Sequence, residues 1–126
     1  MSNEFSELRK IVHELRSKCP WDKEQTLDSL KNNIVEEAEE LKKAIETDDK
    51  DNLKEEIGDV ILVALMLAEI AEEKGILSVE ESLKIVSEKM KRRHPHVFGD
   101  AKADTAEEAL RLFHDIKIKE KNGEFK

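Results

Sequence analysis

The sequence predicts an all-α chain: a bundle of about five helices around a four-helix core, assembled as a homo-oligomer. Three observations carry this. Aromatic residues make up 4% of the chain and charged residues 41%, with four glycines and two prolines, a composition that suits solvated helices and suits sheets poorly. Apolar residues recur at steps of three and four, the spacing of one helix face. One segment, Val60 to Ala71, is apolar on almost every side, so a single small bundle cannot bury it alone. At 126 residues the chain is long enough for one domain with a core, and residues 1–126 are expected to form a single domain.

The first helix is predicted over about residues 4–18, from the stripe Phe5, Leu8, Val12, Leu15. His13 lies on or beside its polar side and is expected at the surface. Cys19-Pro20-Trp21-Asp22 ends the helix, because proline cannot continue the hydrogen-bond ladder. Trp21 is either a plug over the end of the bundle or one wall of a ligand pocket. Thr26 is placed to cap the next helix, whose stripe is Leu27, Leu30, Ile34, Ala38, Leu41 and Ile45, ending near Glu46. The short polar link Thr47-Asp48-Asp49 favours an antiparallel neighbour.

The third long helix is predicted from about Asp51 to Lys74, with Leu53, Ile57, Val60, Ile61, Ala64, Ala68 and Ala71 as its stripe and Gly75 as its stop. Its apolar half, Val60 to Ala71, is the expected contact with a second subunit, giving a homodimer or homotetramer. Ser78-Val79-Glu80-Glu81 matches a capping box and opens a helix carrying Val79, Leu83, Val86 and Met90. That helix ends in the basic run Lys89-Met90-Lys91-Arg92-Arg93, which also complements a helix C-terminus. Thr105-Ala106-Glu107-Glu108 is a second capping box, before Ala109, Leu110, Phe113 and Ile116. From Lys119 the chain is expected to fray.

The charge balance excludes some functions. With 22 Lys and Arg against 30 Asp and Glu, the net charge is −8, which argues against a general nucleic-acid footprint. The one cysteine, Cys19, rules out an internal disulfide framework. No apolar run approaches the roughly 20 residues needed to span a bilayer, so no membrane is expected. Residues 1–20 hold no apolar leader segment, and the expected setting is cytoplasmic.

The most informative residues are two carboxylate pairs at i, i+3 spacing, Glu37/Glu40 and Glu56/Asp59. If their helices pack antiparallel, the pairs can face each other as a site of oxygen ligands. On spacing alone a solvated acidic face is the commoner outcome. Carboxylates gathered in one place repel, and a hard divalent cation, Mg²⁺ or Mn²⁺, relieves that repulsion. Gly58, between Glu56 and Asp59, lowers helix propensity and suggests close packing or ligand approach. Glu36 and Glu39 point more outward. Positions three before the histidines are Lys10, Lys91, Arg93 and Arg111, so the Glu-x-x-His pairs of di-iron bundles are missing. There is no phosphate loop and no dinucleotide fingerprint.

Four stretches together resemble the MazG nucleoside triphosphate pyrophosphohydrolases. They are Cys19-Pro20-Trp21-Asp22-Lys23-Glu24-Gln25-Thr26, Glu36-Glu37-x-x-Glu40, Glu56-x-x-Asp59, and Arg92-Arg93-His94-Pro95-His96-Val97-Phe98-Gly99. The resemblance spans about residues 8 to 120, in the family's order. The acidic pattern alone is similar to the wider all-α NTP pyrophosphohydrolase superfamily. The resemblance implies an oligomeric all-α fold and Mg²⁺-dependent hydrolysis of a nucleoside triphosphate to a monophosphate and pyrophosphate, in nucleotide-pool housecleaning or alarmone control. It implies Glu37, Glu40, Glu56 and Asp59 as metal ligands, with Glu36 orienting a water or another ligand. It implies that Lys89, Arg92 and Arg93 approach the phosphates and that Asn33, one turn before Glu37, contacts the nucleotide. Two departures stand out: Leu27 where relatives often carry histidine, and Phe113 where they often carry tryptophan. Phe113 retains stacking on a base but not an indole hydrogen bond. The rival reading is a catalytically silent helical module that binds metal or nucleotide.

Overall fold

The structure, a computed structural model, describes residues 3–123. Seven helices occur among them: α1 (Glu4–Lys18), α2 (Pro20–Glu24), α3 (Leu27–Glu46), α4 (Lys50–Glu73), α5 (Val79–Arg93), α6 (Pro95–Phe98) and α7 (Ala106–Lys121). No strand occurs among the described residues. The five long helices are those the apolar stripes predict. The two short ones both begin at a proline, whose fixed φ suits the first helical position. The chain divides into two compact units, Met1–Val79 and Glu80–Lys126.

In the first unit, α3 packs chiefly against α4, and α1 packs against α2 and α4. Thr26 caps α3 by accepting from the Ser29 N–H, while the Ser29 hydroxyl accepts from the Thr26 N–H. The α3–α4 link turns at Asp48, whose φ of 52° is left-handed, a conformation that aspartate tolerates. Asp49 then caps α4 by accepting from the Asn52 N–H. Gly75, at φ 71°, ends the segment after α4. The core gathers Val12, Leu65 and Val79, with Leu8, Leu62, Met66 and Ala68 packed against it. Arg16 fastens α1 to both neighbours: it donates to Glu73 at 2.7 Å, to the Gln25 carbonyl at 2.8 Å, and to the Asp22 carbonyl. His13 is exposed, as expected, and its Nδ1 lies 2.7 Å from Glu69 Oε1.

Several predicted core positions differ. In α4 the buried residues are Glu56, Val63, Leu65, Ile70 and Ala71, whereas Ile57, Ile61 and Ala64 are exposed. Ile61 and Ala64 lie in the segment that is apolar all round, which carries no polar marker of its outer face, so its period alone does not select the inward side. In α3, Ala44 is buried in place of Ile45, one residue away. In the second unit, Leu83, Val86 and Leu110 are exposed. Over the described part of the tail α7 continues to Lys121, past the expected fraying point at Lys119, because Glu120 is tied to Arg92 and Arg93; residues 124–126, where that expectation also falls, lie outside the described residues.

Candidate functional site

The hairpin of α3 and α4 places Glu37, Glu56 and Asp59 so that one carboxylate oxygen of each lies within 4.8 Å of the others. Glu56 is 6% exposed, and Glu37 and Asp59 are half-buried. Glu37 Oε2 and Glu56 Oε2 are buried without a hydrogen-bond partner among the described residues. Buried polar atoms nearly always have partners, so these two mark a place that a proton or a cation completes. Burial pushes the Glu56 carboxyl from an ordinary 4.5 to about 7, helped by hydrogen bonding to Glu37 and by the charges of Glu40, Glu37 and Asp59. The donor set is three oxygens with no nitrogen or sulfur, the chemistry of a hard divalent cation. The residues present therefore fit such an ion.

Glu40 lies outside this group of three. It is exposed and lines, with Glu56, Lys43, Thr47, Asp49 and Asn52, an open cavity of about 420 Å³. Glu36 is exposed on a patch shared with Glu39, Glu40 and Lys43. Asn33 is half-buried one turn before Glu37 on α3. Trp21 is 57% exposed on α2, which excludes a fully covered plug. Gly58 is exposed, and a Cβ built there meets nothing within 4 Å among the described residues, so the close packing suggested for it does not occur within this chain.

The basic run has its own geometry in the second unit. Lys89, Arg92 and Arg93 are half-buried at the end of α5. Arg92 Nε donates to Glu120 Oε2 at 2.7 Å, and Arg93 Nη2 donates to Glu120 Oε1 at 2.6 Å. These hydrogen bonds, first from Arg93 and then from Arg92, hold the Glu120 carboxyl down at about 2. Phe113 lies under Arg93, whose Cζ is 5.1 Å from the ring centroid, and beside His94 at 5.6 Å. Glu120 is the residue that sequence reasoning missed. Its signal was spacing: it falls two turns after Phe113 and shares that face of α7.

The MazG nucleotide pyrophosphohydrolase domain matches residues 25–98, more than half of the chain. The chain belongs to the MazG family. A crystal structure of a MazG-related protein from Thermotoga maritima superposes with a TM-score of 0.78 at 33% identity, covering 90% of this chain and 98% of that one. A protein of Bacillus subtilis strain 168 described as uncharacterized protein YabN is 48% identical over 95% of this chain and 25% of its own length. The Thermotoga maritima nucleoside triphosphate pyrophosphohydrolase/pyrophosphatase MazG is 43% identical over 93% of this chain and 45% of its own. An Escherichia coli K12 nucleoside triphosphate pyrophosphohydrolase is 36% identical over 94% and 46%. The chain thus spans from a quarter to just under half of these three relatives. The MazG match runs through both the acidic hairpin and the basic run of α5. No described helix is long and apolar enough to cross a membrane.

Proposed function

We propose that this chain hydrolyses nucleoside triphosphates to nucleoside monophosphate and pyrophosphate with a divalent cation, Mg²⁺ or in its place Mn²⁺. The observation that carries the reading is the convergence of Glu37, Glu56 and Asp59, with two buried carboxylate oxygens left unpartnered among the described residues. The names of the MazG relatives from Thermotoga maritima and Escherichia coli support it. Glu37, Glu56 and Asp59 would hold the cation together with Glu40, which lines the cavity beside Glu56. When bound, the cation neutralises phosphate charge and lowers the pKa of a water.

The chain's own residues divide the remaining work. Glu36, exposed and outside the group of three, orients the water or another ligand. Asn33 offers an amide to the nucleotide, Trp21 offers an exposed ring face suited to a base, and Phe113 offers the face that Arg93 does not cover. Lys89, Arg92 and Arg93 carry positive charge suited to the phosphates and offset the charge of the leaving pyrophosphate. We take the two compact units as parts of one domain, in keeping with a family match that runs through both. The four-helix core and the homo-oligomer stand as part of the same proposal. Exposed Ile57, Ile61 and Ala64 on α4 support assembly through that helix.

The test is incubation with Mg²⁺ and a panel of ordinary, damaged and signalling nucleotides, followed by product identification. A monophosphate and pyrophosphate are expected. A folded, metal-loaded protein that turns over none of them removes the proposal.

A further inference from the structure

Arg92 and Arg93 are neighbours in sequence, yet their guanidinium groups are engaged differently. Arg93 donates to Glu120 through Nε at 3.2 Å and Nη2 at 2.6 Å, and it lies over the Phe113 ring. Its side chain is 13% exposed. Arg92 donates to Glu120 through Nε at 2.7 Å, and its Nη1 and Nη2 make no hydrogen bond among the described residues. Its side chain is 31% exposed. One carboxylate thus grips both guanidinium groups, and it grips Arg92 by the inner edge alone. The outer edge of Arg92 is the two-nitrogen fork that matches a pair of phosphate oxygens.

We propose that Glu120 is a positioning residue: it holds Arg92 with its Nη1/Nη2 fork outward as a preformed phosphate contact, while Arg93, seated on Phe113, locks Glu120 in place. The inference rests on the proposed role of the basic run toward phosphate. Two effects of Glu120 oppose each other. Its negative charge disfavours an incoming phosphate, but two cations at hydrogen-bond distance already neutralise it. Its loss leaves two adjacent guanidinium groups to repel one another and Arg92 to sample many rotamers, which binding must then order. Glu120 meets Arg92 at Nε rather than at the fork, so it does not compete for the edge that phosphate takes. Ordering therefore dominates, and removing Glu120 weakens phosphate binding.

The test is calorimetric titration of the whole chain with inorganic pyrophosphate in Mg²⁺, with the melting temperature of each variant alongside. Arg92→Ala is expected to lose more affinity than any other single variant. Glu120→Gln is expected to lose roughly threefold to tenfold, the worth of one immobilised long side chain. In the Arg92→Ala background Glu120→Gln should add nothing, because it acts through Arg92; a general loosening of the fold would add its loss in full. If Glu120→Gln does not fold, Glu120→Asp, which keeps the charge but shortens the reach, is expected to show the same loss. A wild type that takes up no pyrophosphate, or an Arg92→Ala variant that binds as well as wild type, removes the phosphate role of the basic run and the inference with it. An Arg92→Ala loss combined with unchanged or tighter binding in the Glu120 variant, or with additive losses, overturns the positioning role alone.

Discussion

Replacing Gly58 with alanine adds one methyl group in the middle of α4, at an exposed position where a Cβ meets nothing within 4 Å among the described residues. There is no clash to relieve and no apolar area to bury, so backbone entropy decides the outcome. Glycine is less favourable than alanine inside a helix by about 1 kcal/mol, largely because the unfolded chain loses freedom on the substitution. For a chain of this size that corresponds to a rise in melting temperature of about 4 °C. Thermal unfolding followed by circular dichroism, without metal and at two protein concentrations, measures it. Turnover measured in parallel should be unchanged, because the methyl group does not alter the three carboxylates. A melting temperature that stays level or falls refutes the reasoning, and means that something outside the chain rests on the Gly58 backbone. A raised melting temperature with lost turnover refutes it differently, by placing the ligand against this residue.

Glu56→Gln removes a charge from the buried cluster, so the metal-free protein should melt higher at pH 8 than wild type. Its cation affinity should fall at least about tenfold, as loss of even an indirect partner does, and turnover with it. The Glu56 carboxyl titrates at about 7 in the folded chain against an ordinary 4.5, so the folded state holds a proton that the unfolded chain releases. Metal-free stability should therefore rise as pH falls through 7 and level off below 4.5, and the Mg²⁺-induced rise in melting temperature should be larger at pH 8 than at pH 5. A melting profile flat over that range sinks both statements. Glu120 has the opposite sign: held at about 2, it stabilises fully above 4.5 and loses that contribution as pH falls toward 2, a part of the acid limb that Glu120→Gln should flatten. Ile61→Glu, at a residue 43% exposed, should abolish self-association in sedimentation while leaving the helical signal intact; a wild type that sediments as a monomer ends the assembly proposal.

The ends of the long helices were legible because capping is local chemistry. Thr26 and Thr105 each accept from the N–H three residues on, and Gly75 adopts the left-handed conformation that stops a helix. Even there the partners vary. Ser29 completes the box at Thr26, and Glu108 reaches the Asp104 N–H rather than that of Thr105. The inward face of α4 was not legible, because Val60 to Ala71 is apolar in every direction and only its neighbours decide what is covered. Of the two acidic pairs, spacing brought out Glu56/Asp59 and the Glu37 that meets them, but not the exposure of Glu40, which depends on how the hairpin opens toward Lys43 and Asn52. Glu120 was missed because its partners are 27 and 28 residues away and only the packing of α7 on α5 joins them.

The same acidic group supports the proposed site on this hairpin. In the second unit the carboxyl of Glu120 meets two guanidinium groups and is driven down to about 2. In the first unit the carboxyl of Glu56 is driven up to about 7, first by burial and then by the carboxylates it meets. Burial raises both carboxyls; at Glu120 the two guanidinium hydrogen bonds outweigh it, whereas at Glu56 the neighbouring carboxylates add to it. A fold selected for stability alone would supply Glu56 with a cation from the chain, as it supplies Glu120. Lys43, the lysine lining the adjoining cavity, is exposed, and no ion pair to Glu56 forms among the described residues. Placing Glu56 opposite Glu37 leaves the metal-free hairpin less stable above pH 7 than below it, and on the proposed reading relief of that repulsion is one contribution to the affinity of the folded chain for a divalent cation. Replacing Glu37 and Glu56 together with glutamine should therefore raise metal-free stability and erase the response to Mg²⁺ in the same step.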